Sequence, residues 1–188
     1  MLRIISREGV GKLGAIQSTG DVTSWDTLSA PDDDIPAAII AEQQAAIAKY
    51  GAANIEQHSS QYGFTLQAIA DLFKQISVNK ASRYLFDSSQ GGGTAEKPII
   101  TDFFGIVPQA QRAIGRTQFG AILHEKGITN LYPDGTGWTV TGSFNLSASA
   151  SKQFNVVDIV RSRSRAELFK SRIDEMFDYV ATHEPQPL

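Results

Sequence analysis

Two hydrophobic periodicities alternate along this chain, and that alternation limits its fold more than any other feature. Ile39, Ile40, Gln43, Ala46 and Ile47 form a helical stripe that stops near Gly51, with Pro36 at the helix start and Asp34 placed to cap it. Residues 54–62 read as a strand, and Thr65 as the cap of a second helix striped by Ile69, Leu72, Phe73 and Ile76. Residues 82–87 suggest a short buried strand ending in the carboxylate of Asp87, followed by a loop containing Gly91, Gly92, Gly93 and Pro98. A third helix is expected over 102–115. Two strands, 119–131 and 138–142, flank Tyr132-Pro133-Asp134-Gly135-Thr136-Gly137, a strong turn signal. A Val- and Ile-rich strand over 154–160 precedes an amphipathic helix over 165–181, striped by Leu168, Ile173, Met176, Phe177 and Val180. Strands and helices in this order predict an α/β fold, with helices packed on a mixed sheet in one domain. Residues 1–34 read as a strand and loop segment of that domain, 35–182 as its body, and 183–188 as a polar tail.

Composition narrows the chemistry. The 188 residues suffice to bury about 70% of the unfolded surface without staples. A hydrophobic share of 41% and a net charge of −3 are ordinary globular values and argue against a polybasic arm. Cysteine is absent, which excludes thiolate metal sites, disulfides and cysteine nucleophiles. Only three histidines occur, His58, His124 and His183, so a three-histidine metal site would need all of them. No apolar run approaches the ~18 residues of a membrane span. Arg7, Glu8 and Lys12 interrupt the apolar start before a signal-peptide core forms, so a cytoplasmic protein is expected.

The chemically informative stretch runs from His124 to Asn155. On a strand, His124 and Lys126 would share a face. An ammonium beside an imidazole suits an anionic substrate: it binds a phosphate oxygen and disfavours imidazolium, keeping the ring nucleophilic. Further on stand Gly142, Ser143 and Asn145. Ser143 and Asn145 can donate to phosphate oxygens, with backbone amides around Gly142 adding to the cradle.

His-x-Lys followed by Gly-Ser-x-Asn resembles the phospholipase D superfamily, in particular its small bacterial endonuclease-like members with one such motif per chain. Tyr62-Gly63-Phe64-Thr65, the strand ending at Asp87, Gly142-Ser143-Phe144-Asn145-Leu146-Ser147, Asn155 with its following strand, and the last helix all extend the likeness over roughly residues 35–182. The resemblance implies a phospholipase D-like mixed sheet flanked by helices and a phosphodiesterase that needs no metal and no cofactor. His124 would be the nucleophile forming a phosphohistidine, with Lys126, Ser143 and Asn145 on the non-bridging oxygens. Gly142 and Asn155 would contact substrate. It further implies a nucleic acid substrate and a homodimer whose site lies on the two-fold axis, so that two copies of one histidine meet. A hydrolase of phospholipids or other phosphodiesters, and a degenerate module that only binds, are the alternatives.

Two departures stand out. The fifteen residues between Lys126 and Gly142 exceed the family's usual interval and leave Asp134, read mainly as a turn residue, as the candidate for the motif aspartate. The family's glutamate two residues after Asn155 is replaced by Val157, while Asp158 should face the other side of its strand. His58 is a second candidate for the site, His183 reads as solvated, and the glycine run lacks the Lys-Ser/Thr of a phosphate loop. Arg161, Arg163, Arg165, Lys170 and Arg172 read as a solvated helix start.

Overall fold

A mixed sheet with helices on both faces organises the chain. The structure, a computed structural model, describes residues 21–89 and 93–186. The elements in chain order are β1 (Ser24–Ala30), α1 (Ile35–Tyr50), β2 (Glu56–Gln61), α2 (Gln67–Ile76), β3 (Arg83–Asp87), α3 (Glu96–Ile106), β4 (Arg112–Gly115), β5 (Lys126–Leu131), β6 (Gly137–Gly142), β7 (Asn155–Arg161) and α4 (Arg163–His183). Among the described residues the seven strands lie in the order β1-β7-β6-β5-β2-β3-β4. β2, β3 and β4 run parallel, and every other neighbouring pair is antiparallel.

Local signals set α1. Asp34 accepts the Ala37 N–H at 3.0 Å, Pro36 occupies the first turn, and Gly51 at φ 77° ends the helix. Helix α2 begins at Gln67 without a side-chain cap, so Thr65 does not serve as one; the Thr65 N–H instead donates to Leu146 O at 2.7 Å.

The third expected helix is corrected. It starts earlier, at Glu96, and stops at Ile106, because Pro108 disfavours helical geometry in the residue before it. Residues 112–115 are instead the edge strand β4, paired parallel to β3. The strand expected over 119–131 is also shorter. It begins at Lys126, and residues 116–125 are a loop with Gly120 at φ 68°. The expected polar tail is tied down as far as Gln186, whose side chain accepts from Ile114 N–H at 2.8 Å and donates to Ile114 O at 3.1 Å.

Helices α1, α2 and α3 cover one face of the sheet. Ile39, Ile69, Phe73 and Phe103 pack there on Tyr84, Phe86, Ile128 and Val157. Helix α4 covers the other face, with Phe177 and Val180 on Leu85 and Ala113. The registers Gln61↔Lys126, Gly142↔Val157, Ala30↔Asn155 and Asp87↔Gly115 bring the ends of all seven strands to one edge of the molecule. The loops at that edge carry both motifs.

Candidate active site

Lys126 opens β5 opposite Gln61 and is 7% exposed. Its Nζ donates to His124 O at 2.8 Å and lies 5.2 Å over the Tyr62 ring. No carboxylate pairs with it among the described residues, and burial lowers its pKa from the ordinary lysine value. His124 lies in the loop ahead of β5, not on the strand, so the shared strand face is corrected. The two residues are joined instead through the His124 carbonyl and through Tyr62, whose ring meets the exposed His124 ring edge to face at 4.9 Å. The loop carrying His124 is fixed from below by the buried Asp87, which accepts the Leu123 N–H at 2.5 Å and binds Ser89 with its other oxygen.

The second motif closes on the same spot. A Cβ on Gly142 would lie 2.1 Å from Val156 O and 2.7 Å from Val157 Cα, so only glycine lets β6 pass this close to β7. Ser143 then breaks the ladder: its N–H donates to Val156 O at 2.9 Å and its Oγ accepts Val156 N–H at 3.0 Å. Phe144 turns into the core, which throws Asn145 back toward Gly63. A Cβ on Gly63 would stand 3.2 Å from Asn145 Cβ and Cγ. Asn145 Oδ1 is buried without a hydrogen-bond partner, an arrangement that costs stability unless a donor arrives. Leu146 completes the seam, bridging Phe64 and accepting Thr65 N–H. The 62–65 step therefore holds both motifs: Tyr62 touches His124 and Lys126, Gly63 touches Asn145, and Phe64 with Thr65 binds Leu146. The sequence marked that step only through its aromatic pattern and said nothing of this role.

Asn155 stands at the same edge, but its amide donates to Ala150 O at 2.9 Å and holds the turn of residues 150–152. Val157 lines a void of about 10 Å³ with Gln61, Lys126 and Thr141. That void is no larger than one water needs, and the Gln61 Oε1 there is buried and unpartnered. Asp158 does face the other side of β7, where it accepts from Trp25 Nε1 at 3.1 Å and Thr27 Oγ1 at 2.8 Å.

Two candidates fall outside this cluster. His58, fully buried, projects to the α4 face between Glu56 Oε1 at 3.0 Å and Asp174 Oδ1 at 2.9 Å. The first contact is a hydrogen bond; the second is close enough for an ion pair but lacks hydrogen-bond alignment. Residue 58 has the opposite strand parity from Gln61, which is why it cannot reach the Lys126 side. Asp134 sits in the β5–β6 turn, at the far end of both strands, and accepts from Tyr50 OH at 2.6 Å and Thr136 Oγ1 at 2.6 Å. Hydrogen bonds from Thr136 and Tyr50 hold its carboxyl well below the usual range, as a turn residue. His183 is exposed and stacks on Tyr179 at 4.5 Å. Residues 90–92, which include most of the glycine run, lie outside the described residues.

The basic cluster near α4 is internally matched except for Arg165, whose guanidinium lies over the Trp25 and Phe169 rings with Nε buried and unpartnered. Arg161 binds Glu42, Arg163 binds Glu167 at 2.7 Å, Lys170 binds Asp174 at 2.6 Å and Arg172 meets Glu125 at 3.2 Å. Among the described residues no group of three or more carboxylates and histidines could hold a metal ion, and no helix is long and apolar enough to cross a membrane.

No protein-family profile and no curated protein sequence matches the chain. Solved structures do. Nuc from Salmonella typhimurium, a phospholipase D family member, superposes with a TM-score of 0.62 at 16% identity, over 82% of this chain and 94% of its own. NucT from Helicobacter pylori gives 0.52 at 16% identity, over 82% and 97%. Polyphosphate kinase from Porphyromonas gingivalis gives 0.57 at 12% identity, over 87% of this chain and 27% of the kinase. The fold is thus phospholipase D-like, as the two motifs implied.

Proposed function

We propose that this protein is a metal-independent phosphodiesterase acting on nucleic acid, with His124 as its nucleophile. The observation that carries the reading is the convergence of both motifs on Tyr62 and Gly63, around a buried lysine that no carboxylate among the described residues neutralises. A phosphodiester supplies what that geometry lacks: negative oxygens for Lys126 and for donors at the Ser143–Asn145 turn. The names of Nuc and NucT, whole chains of similar length, favour the same direction.

In this mechanism a His124 ring nitrogen attacks phosphorus, forming a P–N bond as the P–O bond to the leaving group breaks. The departing oxygen takes a proton from a second imidazole. Water then attacks phosphorus and gives its proton to that imidazole, and the P–N bond breaks to restore His124. Lys126 stabilises the non-bridging oxygens at both steps. His58 and His183 are too poorly placed to be the second imidazole, which supports a homodimer with a second copy of His124 across a two-fold axis.

Cleavage of plasmid DNA and of RNA in excess EDTA, by wild type and His124→Ala, tests the activity. Loss of wild-type cleavage in EDTA, restored by magnesium, would overturn the mechanism. Heterodimers of wild-type and His124→Ala chains test the shared site: full half-site activity would overturn it. Val157, in place of the family's glutamate, favours a second reading as a module that binds nucleic acid without cutting it. Unaltered binding by wild type with no cleavage under any condition would select that reading.

A further inference from the structure

The loops at the motif edge hold side chains that the proposed chemistry leaves unused. Phe154, just ahead of Asn155, is 96% exposed, and Phe119, in the loop ahead of His124, is 79% exposed. Ile122 and Val156 beside them are exposed as well. A phenylalanine ring left in water forgoes most of its burial energy, and a cluster of such groups marks a contact surface. Phe119 also borders a cavity of about 210 Å³ walled by Leu123, Met176, Tyr179 and Arg172.

Four of the described cations that lack an ion-pair partner lie at the same edge, while Lys80 ahead of β3 and Arg165 at the start of α4, over the Trp25 ring, are likewise unpaired but lie away from it. Among the described residues, Lys97 in the first turn of α3, Arg116 after β4, Lys126, and Lys152 beside Phe154 take part in no ion pair, whereas Arg161, Arg163, Lys170 and Arg172 are each matched to a carboxylate. The carboxylates of Asp33 and Asp34 at this edge are turned to the backbone N–H groups of Ser29 and Ala37. Open aromatic faces beside cations that form no ion pair match a polyanion that carries flat apolar rings. In a duplex those rings are stacked on one another and closed to the protein; in a single strand they are free.

We propose that Phe154 and Phe119 are stacking platforms for unpaired bases on either side of the scissile phosphate, and that the substrate is single-stranded nucleic acid. The proposal rests on the phosphodiesterase reading above. Strand order suits it: β7, next to Phe154, lies two strands from β5, about 10 Å at ordinary strand spacing, so the platform and Lys126 fall within reach of neighbouring nucleotides.

Fluorescence anisotropy on the full-length His124→Ala protein tests it, with a labelled single-stranded DNA, an abasic strand of the same length and a duplex. The single strand should bind at least ~5-fold more tightly than the abasic strand, the lower limit for one stacked base. Phe154→Ala and Phe119→Ala should each reduce that advantage by the share of one stacked base, and the double variant should remove it, with abasic binding unchanged throughout. Equal affinity for the first two probes, or unchanged single-strand affinity in Phe154→Ala, would overturn the proposal. So would a Phe154→Ala protein that sediments as a monomer where the parent is a dimer, because the ring would then belong to an interface between copies. Absence of binding to all three probes, with no cleavage by wild type, would remove the phosphodiesterase reading along with it.

Discussion

Replacing His58 and His124 one at a time should split stability from activity. His58 is fully buried, with a hydrogen bond to Glu56 and a close contact to Asp174. Deleting a buried, charge-contacting side chain of this size sets an upper figure of ~3–5 kcal/mol. Both carboxylates reduce that figure. Glu56 and Asp174 keep 28% and 21% of their side-chain surface in water, and Lys170 remains 3.3 Å and 2.6 Å from them, so neither charge is stranded. The expected cost of His58→Ala is therefore ~2–3 kcal/mol, or ~4–12 °C in Tm for a domain of this length. His124, exposed and touching only the Tyr62 ring edge among aromatic groups, should cost under ~0.5 kcal/mol when replaced by Ala. Urea titration followed by circular dichroism, with cleavage normalised to folded protein, reads both effects. His58→Ala should keep its specific activity, whereas His124→Ala should lose at least ~10³-fold. A His58→Ala protein of wild-type stability with activity down ~100-fold would refute the reasoning and make His58 the in-chain acid.

A high-pH quench during turnover should trap labelled product on His124, since a phosphoramidate survives base; label on Ser143 would instead make that hydroxyl the nucleophile, against its engagement with Val156 N–H. Gly142→Ala should abolish cleavage and lower Tm, because the new methyl would meet Val156 O at 2.1 Å; a variant that folds and cuts normally would show that the strand ends can part without cost. Stability should fall on acidification below about pH 4. Hydrogen bonding to His58 lowers the Glu56 pKa; burial alone would raise that of Asp174, but His58 and Lys170 outweigh it and hold the carboxyl at about 2. Carboxyls depressed by folding contribute stability above their unfolded pKa and lose it as the pH drops through the folded value. Denaturant midpoints that stay flat from pH 5 to pH 2 would contradict this.

Where neighbouring residues carry a strong signal the sequence was a good guide, though Thr65 does not cap α2 and the strand expected from 119 starts only at Lys126. Asp34 and Pro36 start α1 and Gly51 ends it, and the apolar stripe of α4 marks that helix, although its buried face runs through Ala166, Ile173, Phe177 and Val180 and leaves Leu168 to one side. The hairpin of β5 and β6 follows from its turn residues. Both motifs could be recognised for the same reason, since each is a short run whose spacing needs no partner. Residues 112–115 are different. Nothing local makes them a strand; the open edge of β3 does, and the one local warning was Pro108 ahead of them.

What the chain could state by itself was the fold class, the two motifs and the chemistry those side chains favour, because periodicity and residue type are properties of short segments. Only the tertiary structure decided which groups meet. Strand parity and a carboxylate on α4, 116 residues further along, take His58 out of the site and bury it on the opposite face. The pairing of β2 with β5 and of β6 with β7 brings His124, Lys126 and Asn145 around Tyr62 and Gly63. A face, a register and a contact between distant segments are set by how elements pack, and no local stretch of sequence encodes them.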